Sequence, residues 1–166
     1  MQIAYIMTHY PRVALTFISG EIDAMERKEL PILPIALNLP DEADVTSDEA
    51  HQRQARTTYL KSSKLQLGLS LFGMVLAHPI AMLCVLWIAI RSARMDLNLV
   101  IRRIAHFCYA SQTARHCRAN SIRHLHAHFG QTPATIAWLA CEILNRTSSQ
   151  RTSWSFTIHG FQDFVD

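Results

Sequence analysis

The chain has 166 residues, 49% of them hydrophobic, with only five glycines and six prolines. That composition excludes a disordered or low-complexity polymer and provides for one core, not for two full domains. Net charge is +3, but nine of the thirteen acids lie in residues 1 to 50, whereas residues 51 to 151 hold thirteen Arg or Lys against Asp96 and Glu142, a surplus of eleven. Such a surplus attracts phosphate-rich partners, whether anionic lipid, nucleic acid or a diphosphate substrate, and charge alone does not choose among them.

In chain order, "MQIAYIM" has no positive leader before its apolar residues and reads as a first strand over 3 to 9, not as a signal peptide. Residues 16 to 30 read as a helix, because Phe17, Ile18, Ile22 and Met25 recur at helical spacing. "LPILPIALN" (30 to 38) is the second strand, placed near an edge by its prolines or limited to the part after Pro34. Residues 39 to 56 are polar and acidic and read as a loop.

From 57 to 119 the pattern is helical. A strand follows over 124 to 129, then a helix over 133 to 145 with Thr132 as N-cap and Pro133 at its first position, and a last strand over 153 to 159. This alternation predicts an α/β chain with a Rossmann-like, doubly wound parallel sheet and an inserted helical region. The four cysteines show no CxxC spacing and read as free thiols in a reducing compartment.

Within the helical region, residues 65 to 90 carry no charged side chain over 26 positions, enough by length for a membrane span. His78-Pro79 interrupts the run, and Pro79 suits the first turn of a new helix, so two helices are expected, about 65 to 77 and 80 to 91. Lys61, Lys64, Arg91 and Arg94 flank the pair, which fits helices lying on a membrane surface. Ordinary core helices and a true span remain the alternatives.

Three apolar strands break off at histidines: His9, His128 and His159. In an open α/β sheet such carboxyl ends converge on the crevice where ligands bind. His124, His126 and His128 alternate and therefore share one face of their strand. Imidazoles so spaced can hold zinc, but no carboxylate or cysteine stands beside them in sequence, so no metal site is expected. No GxGxxG follows the first strand, and no Walker or GxSxG motif occurs anywhere, which argues against dinucleotide binding and serine acyl transfer.

Four ordered stretches, "HYPRVALTFISGEI", "AHPIAM", "HLHAHFGQTPATIAWLACEIL" and "SWSFTIHGFQDF", together resemble the amino-terminal domain of bacterial family 4 glycosyltransferases, in particular exopolysaccharide enzymes similar to the colanic acid transferases. The resemblance covers nearly the whole chain. It implies the amino-terminal half of a GT-B fold, in which two Rossmann-like domains face across a cleft and move a sugar from a nucleotide diphosphate sugar to an acceptor with retention.

On that resemblance His159 is the catalytic candidate, stabilising the transferred sugar, with Gly160 permitting close backbone approach and Asp163 at the cleft rim. His128, Phe129 and Gly130 would line the acceptor side, and Thr16 and Glu21 match the first motif. Ala14 and Leu15 replace the Ser-Glu pair typical there. The family's Glu-x7-Glu signature belongs to the nucleotide-binding half; Glu21 and Glu29 share its spacing, but without its glycines they read as solvated carboxylates.

These 166 residues do not include that nucleotide-binding domain, so the chain is expected to be an acceptor-side fragment or truncated product, a poor catalyst alone. No cofactor is implied. The partners implied are a lipid-linked oligosaccharide or polysaccharide acceptor, an anionic membrane surface and the donor-binding domain, with no nucleic acid. The expected location is the cytoplasm, at the inner face of the membrane. The alternatives are a non-enzymatic membrane-surface module with the half-fold and a small integral membrane protein.

Overall fold

Ile3–His9 forms β1, and its first five residues are buried whichever way their side chains point. That is possible only for a strand with helices on both faces. The computed structural model, which describes residues 2 to 94 and 96 to 160, supplies them. Around β1 lie β2 (Ile32–Asn38), β3 (Thr58–Tyr59), β4 (His124–His128) and β5 (Ser153–Thr157), all parallel, in the order β3-β2-β1-β4-β5.

Helix α1 (Thr16–Arg27) covers one face, and α2 (Asp48–Arg56) is tied to α1. The other is covered by α3 (Lys64–Ala77), α4 (Pro79–Arg91), α5 (Leu97–Ala119) and α6 (Thr132–Thr147). Strand order reverses between β1 and β4, so this is a Rossmann-like, doubly wound α/β fold whose crevice opens at the carboxyl ends of those two strands. Alternation sorts the side chains: Ala4, Ile6, Leu125 and Ala127 enter the core under α3 to α6, whereas Ile3, Tyr5 and Met7 pack with Ile18 and Ile22 of α1.

The structure corrects several sequence expectations. Residues 39 to 56 are not a loop: Ser47 caps α2 by accepting from Ala50 N–H, and the helix is tied to α1 by Arg53 on Asp23 and Arg56 on Glu26. The stretch from 57 onward is not helical throughout, since Thr58 and Tyr59 pair with Ile35 and Ala36. Its β2 partner is an inner strand despite its prolines. Pro34 is tolerated because β3 is too short to reach it, leaving β2 with a neighbour on the β1 side alone at that level. Helix α6 includes Thr132 instead of being capped by it, and β5 ends two residues before His159.

The uncharged stretch forms two helices, bent by 118° at the His78-Pro79 junction, and among the described residues no single helix is long and apolar enough to cross a membrane. Each helix packs one side inward through Met74, Met82, Val85 and Ala89. The outer side is apolar too: Leu65, Leu69, Phe72 and Leu76 on α3 and Ile80, Leu83 and Trp87 on α4 are exposed. Exposed apolar residues at helical spacing over two successive helices form a surface that soluble monomers seldom carry.

Candidate functional site

The crevice is built on alternation in β4. His124, His126 and His128 all point to the α1 face, where the side chains of β1 on the same face include Tyr5. His128 packs edge-on to Tyr5, with ring centroids 4.9 Å apart, and to His126 at the same distance. Glu21, one turn into α1, accepts a hydrogen bond from Tyr5 Oη at 2.6 Å. Glu21 is therefore no solvated-face carboxylate: it is fixed over the histidines by a tyrosine from the sheet beneath.

His159, beyond the end of β5, folds back over this layer. Its ring stacks on His128, with His128 Nδ1 and His159 Nε2 3.0 Å apart, and it lies between Phe17 and Phe129 at centroid distances of 4.7 and 5.0 Å. The two imidazoles differ in access, because His128 is fully buried and His159 is exposed. His128, expected on the acceptor side, is thus buried beneath the exposed His159. Among the described residues its Nε2 is buried without a hydrogen-bond partner.

Burial sets the protonation of this group. It pulls His128 down to about 4, against the pull of the Glu21 charge and with help from His126 and His159. Burial also lowers His126, and it raises Tyr5 above the usual phenol range, to which the Glu21 contact adds. At neutral pH His128 is a neutral ring, so its contact with His159 is one N–H donated between imidazoles, not a charge repulsion.

His126 is held on both nitrogens, Nδ1 2.8 Å from Ser155 Oγ and Nε2 3.1 Å from Thr157 Oγ1. His124 likewise meets Ser153 and Ser155. Ligand atoms of Glu21, His126 and His128 come within 4.8 Å of one another, so the carboxylate missing beside the histidines in sequence arrives from α1. Tyr5, Ser155 and Thr157 already occupy that group as hydrogen-bond partners.

The backbone strain in the crevice falls at Phe129, whose φ of 76° is rare for an aromatic residue; its N–H is nonetheless tied to the Thr157 carbonyl at 3.0 Å. Gly160 has no positive φ, and a Cβ built on it meets nothing within 4 Å among the described residues. The special conformation belongs to the residue after β4, not to the glycine after His159.

Of the expected site residues, Glu21, His128, Phe129 and His159 come together. Thr16 does not; it opens onto a separate 360 Å³ cavity with Asp23, Asp44 and Arg53, on the α2 side of α1. Gly130 lines a third region, a 490 Å³ pocket between α5 and α6. Asp163 lies outside the described residues. The sequence reading missed Tyr5 and Phe17, whose rings passed for core, Arg102 and Arg103, which were counted only as part of a basic surplus, and His106, which no motif singled out.

What these elements define is the class: an open, doubly wound α/β domain with an imidazole at its crevice. No protein-family profile, curated protein or solved structure matches the chain.

Proposed function

We propose that the chain is the acceptor-side domain of a retaining glycosyltransferase that draws on a nucleotide diphosphate sugar, with His159 beside the transferred sugar. The observation that carries this reading is His159 itself. Its ring is exposed at the carboxyl end of an all-parallel sheet, next to the point where strand order reverses, and is oriented by His128, Phe17 and Phe129.

The chemistry follows from that placement. As the bond from the anomeric carbon to the diphosphate breaks, positive charge grows on the sugar, and a preset hydrogen-bonding imidazole stabilises the transition state more than the ground state. Glu21 below keeps the local field negative, and Tyr5 keeps Glu21 in place. Phe129, in contact with His159, borders the path of the acceptor. Diphosphate neutralisation falls to a second domain, because no glycine-rich phosphate loop follows β1.

The exposed apolar residues of α3 and α4, with Lys61, Lys64, Arg91 and Arg94 at their ends, support peripheral attachment to an anionic membrane, where a lipid-linked acceptor resides. The same surface favours the second reading, a membrane-binding module without catalysis. Sugar-transfer rates on the chain joined to a nucleotide-binding domain separate the two. His159→Ala should lower turnover by something like 10² to 10³, the order for loss of one preorganised donor. An unchanged rate removes His159 from the chemistry.

A further inference from the structure

The pocket between α5 and α6 is lined by Arg102, Arg103 and His106 from one helix and by Gly130, Gln131 and Thr135 from the other side, with a volume near 490 Å³. It lies across the sheet from the histidine cluster, since α5 and α6 pack against the opposite face. Three features leave it short of negative charge. Among the described residues, neither Arg102 nor Arg103 forms an ion pair with a carboxylate. The one acid at the rim, Asp96, is engaged as the cap of α5, its Oδ1 accepting from Leu99 N–H at 2.9 Å. Helix α6, sixteen residues long, starts here with no acid in its first turn and no side-chain cap, so its positive end faces the cavity uncompensated.

Two buried groups point to a ligand independently of the helix end. The His106 ring is only 8% exposed and borders the pocket, and among the described residues its Nδ1 has no hydrogen-bond partner. Arg103 Nε is likewise buried and unpartnered, although its Nη1 donates to Thr135 Oγ1 at 2.6 Å and so holds the guanidinium against the start of α6. Buried polar atoms left without a partner in native proteins call for a water, an ion or a ligand, and Arg103 Nε is a donor in every state. Electrostatics agree: His106 is pulled down to about 4 by burial and then by Arg103, Arg102 and Lys61, all cations.

We propose that this pocket binds a phosphate group, monoester or diphosphate, with Arg103 and Arg102 as its charged donors and the first turn of α6 as its amide donor. A tetrahedral oxyanion suits the set, because the two guanidinium groups and the amides of the helix start are donors, and planar guanidinium forks match phosphate oxygens. Leu97, Ile101 and Ile104 stand exposed along the same helix, so a phosphate carried on a lipid could rest its chains beside the pocket. The site does not depend on the glycosyltransferase reading; it would hold phosphate whatever the histidine cluster does.

Calorimetric titration of the full chain with inorganic pyrophosphate tests it. Saturable binding with a Kd below about 1 mM is expected, weakened about tenfold or more in Arg102→Gln and Arg103→Gln and unchanged in Arg27→Gln, which is exposed on α1 outside the pocket. Melting curves accompany each variant. Should Arg103→Gln fail to fold, Arg102→Gln and Thr135→Ala carry the comparison, since Arg102 is exposed and Thr135 contributes one hydroxyl.

Vesicles with phosphatidic acid against vesicles of equal charge with phosphatidylglycerol identify the source. Excess retention on phosphatidic acid that disappears in Arg102→Gln indicates a lipid headgroup, and equal retention with pyrophosphate binding intact indicates a soluble phosphate ligand. No pyrophosphate binding, or equal binding by the folded pocket variants, overturns the proposal.

Discussion

His128 and His159 share one hydrogen bond, Nδ1 to Nε2 at 3.0 Å, although one ring is wholly buried and the other stands in solvent. Tertiary structure thereby couples a core residue to a crevice residue 31 positions away. Their substitutions should separate cleanly. His128→Ala removes a packed ring beneath Tyr5, His126 and His159 and should cost about 2–4 kcal/mol in chemical denaturation, as for other large-to-small core changes. His159→Ala loses one partly exposed hydrogen bond and should cost about 1 kcal/mol or less. Equal costs would mean that His159 is a core residue and not a crevice one.

Stability should fall with acid. Burial lowers His128 and His106 to about 4 from the ordinary 6.5, and it lowers His116, His124 and His126 as well. Between those pH values the unfolded chain binds more protons than the folded one, so stability is complete above about 6.5 and drains away as pH drops toward 4. Each of His128 and His106 contributes at most ~3 kcal/mol, and less after discounting for partial solvent access. Urea melts at pH 7, 6, 5 and 4 should show the decline, with a shallower slope in His106→Gln. A flat profile would contradict the burial of both rings.

Arg53 joins α2 to α1 and to the loop after β1. It pairs with Asp23 at 2.8 Å and with Glu49, and it donates to Tyr10 Oη at 3.2 Å. With its side chain only 15% exposed, Arg53→Met should strand Asp23 and destabilise by about 1–3 kcal/mol. Arg146 pairs with Glu142 along the exposed side of α6, and Arg146→Met should change stability by less than about 0.5 kcal/mol. Paired denaturation curves measure the difference.

The α3 and α4 surface should bind anionic vesicles and release them as salt rises, because the basic flanks act through a screened potential. Trp87, 61% exposed, gives the signal: its fluorescence should shift to the blue on vesicles at low salt and return at high salt. Phe72→Ser should weaken binding without lowering the melting temperature. Retention through carbonate washing would instead indicate a spanning segment.

The purified chain should carry no stoichiometric zinc. Glu21, His126 and His128 converge, but Tyr5 engages Glu21, Ser155 and Thr157 engage His126, and His159 engages His128 Nδ1, hydrogen bonds that compete with a cation. Elemental analysis decides this, and a one-to-one metal content lost in His126→Ala would convert the cluster into a metal centre.

The alternation of apolar runs determined the α/β order: residues 3 to 9 and 30 to 38 read as strands, and Ile18 and Ile22 marked the inner side of α1. The break at Pro79 likewise announced two helices where length permitted one span. These are local facts, set by side-chain spacing and by the missing proline N–H. Helix α2 escaped because its stability comes from a Ser47 cap and from Arg53 and Arg56 reaching acids 30 residues earlier, not from an apolar stripe.

The site was legible only in outline. Alternation put His124, His126 and His128 on one side of β4, but no spacing rule says that Glu21 and Tyr5 will meet them, since those contacts cross from α1 and β1. Whether a strand-end imidazole is buried like His128 or exposed like His159 depends on what folds over it. For His128 the covering includes His159 itself, and that packing exists only once β1, β4 and β5 lie side by side and bring α1 against them.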